Sequence, residues 1–135
     1  MDPHPEPPEG VGPHEGRELT LMLAGEKPLA MFCDIVPSPY AWPDAAFDPH
    51  VASGRLVKDE IFTQTPDGRH TVRHLYYALP GEAWRIQEAH ALSLQHCDRG
   101  SAAAADACAR IGRLLGYREE DIQAFLRWAE THQAL

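Results

Sequence analysis

The chain has little lysine, little cysteine and no long apolar run. Lys27 and Lys58 are its two lysines beside ten arginines, and 20 acidic against 12 basic side chains leave a formal charge of −8. Phosphate backbones are held by surplus Lys and Arg, so a generic nucleic-acid footprint is not expected. The arginines suit planar, bidentate partners; with abundant alanine they also fit a GC-rich coding sequence. Cys33, Cys97 and Cys108 are odd in number, far apart and without a CxxC pair. A disulfide framework is therefore not expected, and a reducing compartment fits. The longest apolar stretches are too short to span a bilayer. The opening MDPHPEPPEGVGPHEG has neither a basic start nor an apolar run, unlike a signal peptide. The expectation is a cytoplasmic, bacterial protein of one domain, its 135 residues and 44% hydrophobic content sufficing for one core.

Catalytic signatures are missing as well. The sequence holds no GxSxG, P-loop, GxGxxG or kinase-like set. Its eight histidines invite a metal reading, but the spacing opposes it. His70 and His74 lie four apart on one strand, which at roughly 3.3 Å per residue separates them by about 13 Å. His90 and Cys97 lie seven apart on a helix, about 10.5 Å. His96 and Cys97 point different ways. No HExxH is present, and no HxxxH falls on a helix. A metal site would need ligands converging from separate elements, such as His74 with Glu60 and a loop residue; no metal and no cofactor are expected. The cysteines fall in apolar surroundings and read as small core residues rather than nucleophiles.

What is present points to an α+β fold. Residues 1–15 are rich in Pro, Glu and Gly with one aliphatic, Val11, and read as a disordered tail; residues 16–135 form the domain. RELTLMLA (17–24) places Leu19, Met22 and Leu23 on one helical face, with Gly25 as C-cap and Pro28 blocking continuation. LAMFCDIV (29–36) is an uninterrupted apolar run ended by Pro37 and reads as a buried strand. Residues 37–53 contain four prolines and read as a long loop carrying Tyr40, Trp42, Phe47 and Val51, either a lid over the core or a partner contact.

Residues 55–79 read as a β-hairpin around Thr65-Pro66-Asp67-Gly68. A three-residue connection sets Thr65 opposite Arg69 and pairs Phe62 with Val72, Glu60 with His74, Lys58 with Tyr76, Ile61 with Arg73 and Val57 with Tyr77. Both faces are apolar near the base and polar near the turn, so the base should be covered on both sides. Three helices follow, at 82–97, 102–115 and about 119–133, with Ile86, His90, Leu94 and Cys97, then Ala104, Cys108, Ile111 and Leu115, then Ile122, Phe125, Leu126 and Ala129 facing inward. The order suggests a small antiparallel sheet, the hairpin plus the 29–36 strand, against three to four helices packed on one face. The first strand can lie beside either hairpin strand.

The last two helices, CARIGRLLGYREEDIQAFLRW, resemble a helix-turn-helix or a small protein-binding helical bundle. Glu119, Glu120 and Asp121 open the second helix with the wrong sign for phosphates, so the pattern is read first as two antiparallel core helices.

Two constellations remain. Glu60 opposite His74 is an acid/base candidate, or a solvent-facing ion pair. Tyr40, Trp42, Phe47, Tyr76, Tyr77 and Trp84, rimmed by Arg73 and Arg85, would line one region if the loop folds over the hairpin base. That region is core, a protein interface or a small-ligand site. The expected function is a non-catalytic accessory or regulatory protein acting through a protein partner or as a homodimer. The alternatives are a small-molecule-binding enzyme using Glu60 and His74, and an acidic mimic that blocks a nucleic-acid-binding protein.

Overall fold

A computed structural model of the protein describes residues 16–37, 39, 41–94 and 102–132, with the backbone alone at 102–104 and 129–132. Among the described residues eight elements follow one another: α1 (Glu18–Leu23), β1 (Leu29–Val36), α2 (Asp44–Ala52), β2 (Val57–Gln64), β3 (Thr71–Ala78), α3 (Trp84–Leu94), α4 (Ala102–Leu114) and α5 (Glu119–His132). The class is α+β, with a three-stranded antiparallel sheet in the order β1-β3-β2. The expected tail, Tyr40 and Cys97 lie outside the described residues. Among the described residues, no helix is long and apolar enough to cross a membrane.

The apolar run Leu29–Val36 forms β1 along its whole length, paired with β3 from Leu29↔Ala78 to Val36↔Thr71. That puts β3 in the centre. Its Leu75, Tyr76, Tyr77 and Ala78 are 0% exposed, because successive side chains point to opposite faces and both faces are covered. On one face, Met22 of α1 and Phe47 of α2 join Ala30, Leu56, Leu75 and Tyr77. On the other, Ile86, Ala89 and Leu92 of α3, with Ala107 and Leu114 of α4, cover Leu29, Tyr76 and Ala78. Helices confined to one face were therefore the wrong expectation. The continuous apolarity of Leu29–Phe32 and of Leu75–Ala78 requires cover on both sides.

The hairpin register also differs from expectation. Thr65 N–H donates to the His70 carbonyl at 2.9 Å, not to Arg69, and the ladder runs from Val57↔Ala78 to Gln64↔Thr71. The expected turn hydrogen bond forms, Gly68 N–H to Thr65 C=O at 2.8 Å, with Gly68 at φ +72°. Asp67 then accepts the Arg69 N–H at 3.0 Å and draws one more residue into the connection. That single residue changes every cross-strand partner.

A second difference is α2, where a loop was expected. Pro43 stands at the N-cap and its carbonyl accepts the Ala46 and Phe47 N–H groups. A helix start tolerates proline, because its missing N–H would be unpaired there anyway. Pro49 lies inside the helix and removes a single bond, to the carbonyl of exposed Ala45.

Behind α3, Gly116 ends α4 at φ +88°, and a Cβ there would meet Pro28 Cδ at 2.7 Å. The buried Lys27 donates from Nζ to the Leu115 carbonyl at 2.7 Å, satisfying a C-terminal group of α4. Burial brings this lysine down to about 8, against a smaller upward pull from Glu18.

Candidate interaction site

Asp44 and Asp48 occupy successive turns of α2, and the spacing sets both carboxylates on one side. That side faces Lys58 and Arg73 on the sheet. Arg73 Nη1 and Nη2 bond the two Asp44 oxygens at 2.9 and 2.8 Å. Its Nε reaches Glu60 Oε2 at 2.9 Å. Lys58 Nζ bridges Asp44 at 2.8 Å and Asp48 at 3.0 Å. Tyr77 donates its hydroxyl to Asp48 Oδ1 at 3.0 Å. Below this network Phe47 stacks on Tyr77 with centroids 4.4 Å apart, and Phe32 meets Phe47 edge-on at 5.7 Å.

The electrostatics follow from these contacts. Hydrogen bonds from Arg73, and then from Lys58, hold Asp44 well below the usual carboxylate range. Asp44, followed by Asp48, holds Lys58 charged far above its ordinary value. Burial first, and then Asp48, pushes the Tyr77 phenol up.

Arg73 is consequently not a receptor for an incoming anion. Each guanidinium nitrogen is engaged by a carboxylate of the chain itself. One flat side lies over Trp42, 4.7 Å from the ring centroid, and the side chain is 13% exposed. Its work is to lock α2 and the Trp42 segment onto the sheet. Beside it, directly across the β2–β3 pair, Phe62 is 53% exposed. The surface therefore offers Phe62 and the half-buried Trp42, flanked by the partly exposed carboxylates of Glu60 and Asp48.

The residues singled out from sequence divide between two places. Trp42, Phe47, Arg73 and Tyr77 come together on the α2 face. Tyr76 does not join them, since neighbours on a strand face opposite ways. It lies under α3, its hydroxyl 2.9 Å from His90 Nδ1. Trp84 and Arg85 belong to α3 and stack on each other at 4.8 Å. Arg85 bonds Glu82 at 2.6 Å and the Leu114 carbonyl at 3.1 Å. Sequence reasoning missed Asp44, Asp48, Lys58 and Phe62 as members of the site. The four-residue interval in DAAFD would have revealed the two aspartates had α2 been read as a helix.

The Glu60–His74 pair does not form. Glu60 stands opposite Leu75 and His74 opposite Ile61, so the two side chains leave opposite faces of the sheet. His74 Nε2 shares a hydrogen bond with Thr63 Oγ1 at 2.8 Å. Its Nδ1 lies 3.7 Å from Cys33 Sγ, and its ring meets that of His90 edge-on at 4.9 Å. Burial, then His90, lowers the imidazole. Burial, then Asp34, raises the Cys33 thiol. Both shifts favour neutral forms, the opposite of an activated thiolate–imidazolium pair. Among the described residues, no three or more His, Cys, Asp or Glu side chains are grouped to hold a metal ion.

Compared with family models, curated proteins and solved structures, the chain matches none.

Proposed function

We propose that the protein is a non-catalytic accessory or regulatory factor that binds another protein through Phe62 and Trp42. The observation that carries this reading is the state of Arg73. Each of its three nitrogens is engaged by a carboxylate of the chain, and it holds Trp42 in place beside an exposed phenylalanine. Large, rigid side chains of this kind anchor protein interfaces, because little conformational entropy remains to be lost on binding. Asp34, Asp44, Asp48 and Glu60 outnumber Lys58 and Arg73 on this face, and the net charge of −8 agrees in sign. The complementary partner presents an apolar depression rimmed by Lys or Arg.

The test places photoreactive benzoylphenylalanine at position 62 in cells. One dominant protein adduct is expected, weakened by Trp42→Ala and by Glu60→Lys. The reading fails if position 62 yields no adduct, or yields the same set as the probe placed at Trp84 on the far face.

A further inference from the structure

The sheet has two edges, finished differently. In an antiparallel ladder, alternate residues bond the neighbouring strand and those between turn their N–H and C=O outward. The Thr65–His70 bond fixes the phase. Thr63–Val72 and Ile61–His74 bond across the hairpin, so β3 turns Thr71, Arg73, Leu75 and Tyr77 towards β1, where Val36, Asp34, Phe32 and Ala30 stand opposite. Met31, Cys33 and Ile35 therefore face outward from β1. Ile35 is capped by its neighbour, its N–H donating to Asp34 Oδ1 at 2.7 Å. The outward backbone groups of Met31 and Cys33 have no hydrogen-bond partner among the described residues.

Sheet edges are normally blunted by charge, proline or a bulge. The β2 edge follows that rule with Lys58, Asp59 and Glu60 in succession. From Leu29 to Cys33, β1 carries no charged side chain and no proline, and the raised Cys33 thiol stays neutral. Beside this bare stretch runs a cleft of about 750 Å³ whose lining mixes apolar side chains with Glu18, Thr20 and Lys27. Along the strand itself apolar side chains stand on both faces of the sheet, Phe32 and Phe47 on one and Met31 on the other. The edge from Leu29 to Cys33 offers no charge to pair with, so the occupant that fits along it is an extended segment that is apolar on both of its own faces and uncharged there. Among the described strands β1 itself has that character, with Leu29 and Met31 on one face and Ala30 and Phe32 on the other. β2 is charged, and β3 is enclosed at the centre.

We propose that β1 pairs antiparallel with β1 of a second copy, joining two sheets into one of six strands about a two-fold axis at Phe32. Met31 then stands opposite the partner's Cys33, and four backbone hydrogen bonds form at these positions. The capped Ile35 ends the ladder. A two-fold contact of this kind is self-complementary and closes without further growth. The β2 edges, and Phe62 with them, remain free at both ends. This assembly is independent of the partner site proposed above.

Sedimentation of the full chain tests the assembly, with a mass of twice 15.0 kDa expected. Met31→Pro removes an N–H that the fold itself does not use, and Cys33→Lys sets a charge on the edge. Both are expected to give monomers with an unchanged circular dichroism spectrum, while Phe62→Lys on the other edge stays dimeric. If Met31→Pro unfolds the chain, Cys33→Lys decides. A wild-type monomer throughout the micromolar range overturns the proposal, as does a dimer that survives both substitutions. A monomer whose Met31 and Cys33 amides resist hydrogen exchange overturns it too, because the chain would then cover its own edge.

Discussion

Tyr76 and Tyr77 are neighbours on one strand and equally buried, yet they serve opposite chemistries. Tyr77 donates to a carboxylate within a lattice of full charges. Tyr76 meets an imidazole in a cluster biased towards neutral groups, its phenol pushed up to about 12 chiefly by burial. The helices they meet account for the contrast. α3 lays Ile86, Ala89 and Leu92 onto the sheet and holds by apolar area. α2 spans nine residues, contains a proline and buries one side chain, Phe47. Helices this short are marginal in water, so α2 depends on ion pairs at Asp44 and Asp48. Packing holds one cover and charge holds the other.

Truncating either tyrosine tests whether both sides are true core. Tyr76→Ala and Tyr77→Ala are each expected to cost about 3–5 kcal/mol in urea unfolding, the range for large aromatic deletions. A loss below about 1 kcal/mol at either position, the scale of a surface change, would mean that face does not support the fold. Arg73→Ala comes next. Breaking a buried ion pair costs about 3–5 kcal/mol, but Asp44 and Glu60 are partly exposed and screened, so about 2 kcal/mol is expected here. Because Asp44 is depressed in the folded state, its contribution is present above the ordinary carboxylate value and is lost as pH falls below it. The gap between wild type and Arg73→Ala should therefore narrow in acid, as read from urea midpoints. A gap that persists in acid would mean Arg73 acts through its stem on Trp42.

Sequence disclosed those features that depend on neighbours along the chain. β1 was legible from end to end because an apolar run stopped by Pro37 has few other solutions. The end of α1 followed from Gly25. Register was not legible, because it turned on one side-chain bond, Asp67 to Arg69, that lengthens the connection by a residue. α2 was hidden because its prolines were counted rather than placed: Pro43 at the cap is harmless and Pro49 costs one bond. For the site, Trp42 and Arg73 were visible as residue types. Their mutual arrangement needed α2 and the true register, and both errors removed it. Separation of Tyr76 from Tyr77 was available from strand alternation alone, and a single aromatic region spanning both was inconsistent with it.

Removing the two hydroxyls sharpens the contrast at smaller amplitude. Tyr77→Phe leaves Asp48 bonded to Lys58, so a loss of about 0.5 kcal/mol is expected, at the low end for one hydrogen bond. Tyr76→Phe takes the partner from the half-buried His90 Nδ1 and should cost about 1–2 kcal/mol, the range for an acceptor or donor left unsatisfied. Equal losses would show that charge on one side and neutrality on the other make no energetic difference.

Acid should separate the two faces without any substitution. His74 is 8% exposed and lowered by burial and by His90, whereas in the unfolded chain it takes a proton near the ordinary value of about 6.5. The unfolded state then binds more protons than the folded state once pH falls to that value. Stability is lost as pH drops through it, well before Asp44 begins to titrate. Gln at position 74 has no such proton to take and can keep the bond to Thr63. The urea midpoint of His74→Gln should stay flatter than that of wild type from neutrality to about pH 5, the window of histidine titration. Hydrogen exchange should show wild-type α3 loosening over this range while α2 stays protected. Parallel midpoints, or α2 opening first, would place the acid-sensitive contact on the charged face and reverse the division drawn between the two tyrosines.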